Sequence, residues 1–149
     1  LGVLLLKHPE ASVSTPWAYG RCREWRGAFY LTHEADFEQR RQALRESPLL
    51  AALGGGRPFP PLRNDLQAVV APEVPSVAQA IELLQQASGA LVVAMSGSGP
   101  TVFALFPTPE AAGLAQRSLA EALQAAGLES WSCGLRTSGA TLGEPAPRP

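Results

Sequence analysis

The apolar positions of this chain follow two rhythms. Short dense runs, "GVLLLKH" at 2–8, "LVVAM" at 91–95 and "TVFALF" at 101–106, are too brief for helices and are bounded by proline, glycine or serine, so they predict buried strands. A fourth strand is predicted where Trp131, Cys133, Leu135 and Thr137 alternate with Ser130, Ser132, Gly134 and Arg136, the period of two of a strand with one covered face. Elsewhere the spacing stretches to three and four, and helices are expected. Thr15 supplies an N-cap hydroxyl and Pro16 the first helical position of "TPWAYGRCREW", which Gly27 ends. Phe37, Arg41 and Leu44 share one face of a helix from about Glu34 to Glu46, with Pro48 terminating it. A short capped turn of helix follows Asn64 and stops near Pro72. A longer helix opens at Ser76, closes at Gly89 and buries Val77, Ala80, Ile81 and Leu84. Thr108 and Pro109 open a last helix, with Ala112, Ala115, Leu119, Ala122 and Ala126 on one side and Gly127 as its stop.

Taken in order, these elements predict an α+β fold with a ferredoxin-like split βαβ arrangement: an antiparallel sheet whose first crossover is expanded by several helices. Residues 1–138 are expected to form one domain, "LGGGRPFPPLR" at 53–63 a loop of chain breakers, mobile or else clamped against something, with mobility the expectation, and 139–149 a disordered tail.

Composition narrows the possible functions. The chain has 149 residues, 46% hydrophobic and 17% charged, with a net charge of -1, which disfavours disorder and a basic nucleic-acid surface. Its apolar runs fall far short of the ~20 residues that span a bilayer, so no membrane partner is expected. Cys22 and Cys133 have no metal-ligand spacing and are expected to be reduced thiols in a cytoplasmic protein, with no metal site. The chain opens on Leu1 and an apolar strand, and its single methionine is Met95; a cut upstream, with something preceding, is the expectation.

The candidate chemistry lies in "SGSGPT" at 96–101. As a plain hairpin turn, it needs Gly97 and Gly99 only for backbone angles closed to other residues. The alternation of Ser96, Gly97, Ser98 and Gly99 also suits a loop that bares N–H groups and hydroxyls to an anion. A Walker A loop is excluded because no lysine follows, Lys7 being the only one. A dinucleotide fingerprint is excluded by Val102 and by the strand that comes next. His8 and His33 could exchange protons chemically, but each stands alone at an element edge and is expected to be solvated.

"SGSGPTVFALF", "STPWAY" at a helix head, and "NDL" followed by "PEV" together resemble the C-terminal half of a GHMP superfamily kinase, over about Leu1 to Thr137. The resemblance implies phosphoryl transfer from ATP, with magnesium, to the 2-hydroxyl of a cytidine-diphosphate-linked methylerythritol, a step of non-mevalonate isoprenoid synthesis. ATP and Mg would be bound by an N-terminal domain absent from this chain. It implies further that Gly97, Ser98 and Gly99 belong to the superfamily's third motif, which lies beside the phosphate-binding loop of the other half and helps shape the cleft, that Thr15 and Pro16 border the substrate, and that Tyr19 stacks on the cytosine ring. A buried core position is the other reading of Tyr19. Asn64 and Asp65 match an Asn-Asp pair, with helix capping the expected role. The family's second motif and its catalytic aspartate and lysine have no match, since Asp36, Asp65 and Lys7 do not fit them. The chain by itself is therefore expected to be inactive. A different GHMP kinase, of the homoserine or mevalonate type, and a noncatalytic ferredoxin-like ligand-binding module are the rivals.

Overall fold

The computed structural model of the chain describes residues 1–27, 30–46, 48–53, 55 and 59–136. Thr137, the tail at 139–149 and part of the expected loop at 53–63 lie outside the described residues. The elements run β1 (Gly2–Lys7), α1 (Thr15–Trp25), α2 (Glu34–Glu46), α3 (Pro48–Leu53), α4 (Asp65–Val70), α5 (Pro75–Gln85), β2 (Val92–Met95), β3 (Val102–Phe106), α6 (Pro109–Ser118), α7 (Ala120–Ala125) and β4 (Glu129–Gly134).

The strands pair in the order β2-β3-β1-β4, every neighbour antiparallel. This is the split βαβ topology that the order of elements predicts, with α1 to α5 filling the first crossover. Antiparallel register sorts the residues into rungs by face. Met95–Val102–Leu6–Ser130 and Val93–Ala104–Leu4–Ser132 point to the helices. There Leu4, Leu6, Val102, Ala104 and Phe106 are fully buried against Val77, Ala80 and Leu84 of α5 and Ala112 and Ala115 of α6. The alternate rungs, Ala94–Phe103–Leu5–Trp131 and Val92–Leu105–Val3–Cys133, point the other way.

Several local expectations shift for physical reasons. Ser14, not Thr15, caps α1: its backbone is extended and its hydroxyl accepts from the Trp17 N–H at 3.4 Å, which puts Thr15 and Pro16 inside the first turn. α1 ends at Trp25 and is capped by Arg26 rather than Gly27, with Arg26 in the left-handed region (φ 45°) and its N–H donating to the Cys22 carbonyl. Pro48 does not merely stop α2; it begins α3, where a missing N–H is harmless. Val74 occupies the cap of α5 and Pro75 opens it, so Ser76 is already helical, and the helix closes at Gln85 rather than running on to Gly89. The helix expected over 109–126 breaks at Leu119. The Ser118 hydroxyl donates to the Ala115 carbonyl at 2.9 Å, a local bond of the kind that bends helices.

Two expected apolar stripes exist but are not covered. No residue of α2 is buried, and Phe37 and Leu44 are exposed. On β4 the small residues take the helix side, where Gln116 donates to both Ser130 O and Ser130 Oγ and half-buries Ser130 while Ser132 and Gly134 stay exposed, and Trp131 and Cys133 face outward.

The approach of α6 is closest at Gly2. A Cβ there would sit 2.2 Å from the Thr108 carbonyl oxygen and 2.8 Å from Pro109 Cα, backbone that cannot swing aside. Gly2→Ala is therefore expected to destabilise the fold by about 1–3 kcal/mol, seen as a lower urea midpoint at unchanged slope. Gly134→Ala, which would meet only the Pro109 ring at 3.2 Å, should cost less. An unchanged midpoint for Gly2→Ala would contradict this packing.

Candidate functional site: a clamped glycine hairpin beside an aromatic cleft

The glycine hairpin is first a turn. The Ser96 N–H donates to the Thr101 carbonyl at 2.8 Å and the Gly99 N–H to the Ser96 carbonyl at 2.9 Å, which closes the loop between β2 and β3. Gly97 and Gly99 both have positive φ (55° and 82°), and a side chain at Gly99 would also strike the Met95 sulfur. Among the described residues, the N–H groups of Gly97 and Ser98 have no hydrogen-bond acceptor. Two adjacent unengaged donors on a tight loop are the elements of an anion cradle.

What distinguishes this turn from an ordinary hairpin is its clamp. Asn64 caps α4, its Oδ1 accepting from the Leu66 N–H at 3.0 Å and the Gln67 N–H at 3.4 Å. Its Nδ2 then donates to the carbonyls of Met95 and Gly97, both at 2.8 Å. Gln67, three residues into the same turn, accepts from the Met95 N–H at 2.7 Å. From the other side Thr15 Oγ1 and Ser98 Oγ share a hydrogen bond of 2.8 Å. The one-residue shift of the α1 cap makes this contact possible: Ser14 serves the helix, and the Thr15 hydroxyl is left for the hairpin.

α1 and α4 pack together, and the Cys22 thiol donates to the Asp65 carbonyl at 3.7 Å. Burial, and then the nearby Asp65 carboxylate, push the Cys22 thiol above its ordinary pKa, so it stays protonated and inert. Ala18 and Cys22 face inward on α1, which turns Thr15, Tyr19 and Arg23 outward at successive turns. Tyr19 is 61% exposed, which rules out a core tyrosine. It stands with Pro16, Arg23, Tyr30, Asn64 and Asp65 around an open cleft of about 680 Å³. Thr15 and Tyr19 are thus one turn apart on one helix face, the first touching the hairpin and the second on the cleft wall.

Asp65 is the first residue of α4 and pairs with Arg63 (Nε–Oδ1 2.6 Å) rather than capping the helix, a role left to Asn64 alone. His33 is exposed, its carbonyl accepting from Asp36 and Phe37 at the head of α2, and the half-buried His8 accepts the Glu10 N–H at Nδ1; neither lines the cleft. A second hollow, of about 390 Å³, lies beside Arg21, whose guanidinium is already engaged by Glu73 and Glu24. Among the described residues, no group of three His, Cys, Asp or Glu side chains could hold a metal ion, and no helix is long and apolar enough to cross a membrane.

The sequence reading missed Gln67, Arg23, Arg63 and Tyr30. Gln67 had a usable signal, since Asn-x-x-Gln has the spacing of a capping box. Its amide reaches to Met95 instead of back to the cap.

This hairpin and its two supporting helices occur in a known setting. The chain matches the family described as "GHMP kinases C terminal" over residues 33–125, and it belongs to that family. It is 54% identical over 142 residues to a protein of Prochlorococcus marinus (strain MIT 9303) named 4-diphosphocytidyl-2-C-methyl-D-erythritol kinase, a match covering 95% of this chain and 44% of the relative. A protein of the same name from Synechococcus elongatus (strain ATCC 33912 / PCC 7942 / FACHB-805) is 46% identical over 134 residues, covering 88% of this chain and 43% of the relative. A solved structure, "Crystal structure of 4-(cytidine 5'-diphospho)-2C-methyl-D-erythritol kinase", superposes with a TM-score of 0.54 at 25% identity, covering 89% of this chain and 42% of that one. The chain spans less than half the length of these relatives.

The clamp makes capping and hairpin anchoring separable. Aspartate caps helices as well as asparagine does but cannot donate. Asn64→Asp sets a carboxylate against the two carbonyls and is expected to destabilise the chain by about 2 kcal/mol, no less than Asn64→Ala. Urea unfolding of both variants checks this; an Asn64→Asp variant as stable as the parent would reduce Asn64 to a cap.

Proposed function

We propose that this chain is the acceptor-side half of a kinase that transfers the γ-phosphoryl group of ATP to the 2-hydroxyl of 4-diphosphocytidyl-2-C-methyl-D-erythritol. The observation that carries the proposal is Tyr19, exposed on the cleft wall one helical turn from Thr15, whose hydroxyl touches the glycine hairpin. The names of the relatives support the same substrate.

A cytidine ring needs a flat π face, and Tyr19 offers one that is already in water and fixed by α1. Pro16 and Tyr30 narrow the cleft around it. With the base on Tyr19, the remainder of the substrate extends along α1 toward Thr15 and the hairpin. There the N–H groups of Gly97 and Ser98 face incoming negative charge, which donors fixed in advance stabilise without having to reorient.

Phosphoryl transfer depends chiefly on alignment and charge neutralisation, and alignment of the acceptor is what this half contributes. ATP, when bound, supplies the phosphoryl group and magnesium neutralises its charge. We assign both to the part of the relatives that this chain does not span. The chain by itself binds and orients and transfers nothing. Cys22 and Cys133 are free thiols, in keeping with a reducing cytoplasm.

In the polypeptide extended to the length of its relatives, Tyr19→Ala should weaken binding of a cytidine diphosphate ligand about fivefold to 150-fold by titration calorimetry, the worth of one base–aromatic stack. Tyr19→Phe should bind as the parent does. Unchanged affinity in Tyr19→Ala, or an equal loss in Tyr19→Phe, would contradict the stacking role.

A further inference from the structure

The sheet has two apolar faces, and the core helices use only one. Core packing takes in Leu4, Leu6, Met95, Val102, Ala104 and Phe106 but none of Val3, Val92 or Ala94, which are buried on the opposite side. The Leu5 and Val3 rungs of that side are apolar in all four strands, and the next rung toward the hairpin end, Lys7–Glu129, is charged. The rung Ala94–Phe103–Leu5–Trp131 crosses the whole sheet one step in from the glycine hairpin, with Phe103 and Leu5 half-exposed and Trp131 47% exposed. Antiparallel sheets that leave one face in water normally place polar residues on it. An apolar patch spanning all four strands instead marks a surface that is covered in the working molecule.

We propose that this open face is the seat of the remaining half of the full-length kinase, and that it covers Leu5, Phe103 and Trp131. The inference rests on the functional reading above and names the surface through which the two halves join.

Two observations select this occupant. More than half of each relative's length lies outside the match, enough chain for a second domain. The apolar patch also lies close to the hairpin: Phe103 and Ala94 are next in the ladder to Val102 and Met95, and the clamp holds the Met95 backbone. A half that brings ATP to Gly97 and Ser98 reaches that edge, and a body seated on the open face is already there. The apolar stripe of β4 falls into place as well. Its small residues meet α6 and its large ones await the partner domain.

Cys133 reports on this surface, because it lies in the outer rung and is exposed, whereas Cys22 is buried. Alkylation at Cys133, followed by mass spectrometry of its peptide, is compared in the 149-residue chain and in the polypeptide extended to the length of its relatives. The expected result is rapid labelling in the short chain and labelling slower by about tenfold or more in the long one, where the thiol meets reagent only in an opened state. Equal, rapid labelling in both would overturn the proposal. Slow labelling in the short chain would overturn it too: if it speeds up on dilution, a second copy covers the face, and if dilution changes nothing, residues 137–149 of the chain itself do.

Phosphoryl transfer by the long form is assayed in parallel. Transfer without protection of Cys133 defeats the docking surface and leaves the functional reading standing. Protection without transfer upholds the docking surface and defeats that reading.

Discussion

Everything at the candidate site hangs on the side-chain amide of Asn64. An asparagine has two donors and two acceptor lone pairs, and here all four are used: two bonds hold the start of α4 and two hold the hairpin carbonyls of Met95 and Gly97. Gln67 adds a fifth bond from the same turn. Without them the loop would keep its own closure but lose its fixed relation to the helices, and the Thr15–Ser98 contact would have nothing to hold it in place. Because a buried or half-buried carbonyl is costly to leave unpaired, the clamp makes one position of the hairpin much better than its neighbours. A phosphate-facing loop depends on that kind of rigidity, since donors that are already aimed need not be reorganised when charge arrives.

The sheet supplies the platform and also sets the asymmetry. Its helix side is filled by side chains from α5 and α6, which come close enough to require glycine at residue 2 and small residues along β4. Its other side carries two apolar rungs across all four strands, beside the charged Lys7–Glu129 rung. One end of the sheet carries the hairpin, which hydrogen bonds tie to the head of α1 and the start of α4.

How much of this was legible in the sequence differs from residue to residue. The topology was, because strand length, turn residues and helical spacing agree with one another along the chain. The capping of Asn64 was legible too, since its acceptor bonds reach only two and three residues ahead. Its donor bonds reach 31 and 33 residues ahead, and nothing local announces them. The exposure of Tyr19 was hidden because α1 mixes aromatic and charged residues without a clear stripe; only the inward packing of Ala18 and Cys22 decides which way Tyr19 turns. The alternation in β4 was readable, but its sense was inverted: proximity of α6 puts serine and glycine on the helix side. In α2 the stripe of Phe37 and Leu44 was visible, while its lack of cover depends on packing that no periodicity encodes.

The most direct measurement is a crystal structure of the polypeptide extended to the length of its relatives with a cytidine diphosphate ligand bound. The account places the cytosine ring flat against Tyr19, with the rest of the substrate running past Thr15 toward the N–H groups of Gly97 and Ser98. A base lodged elsewhere, with Tyr19 facing only solvent and the hairpin donors turned away from the substrate, would contradict it.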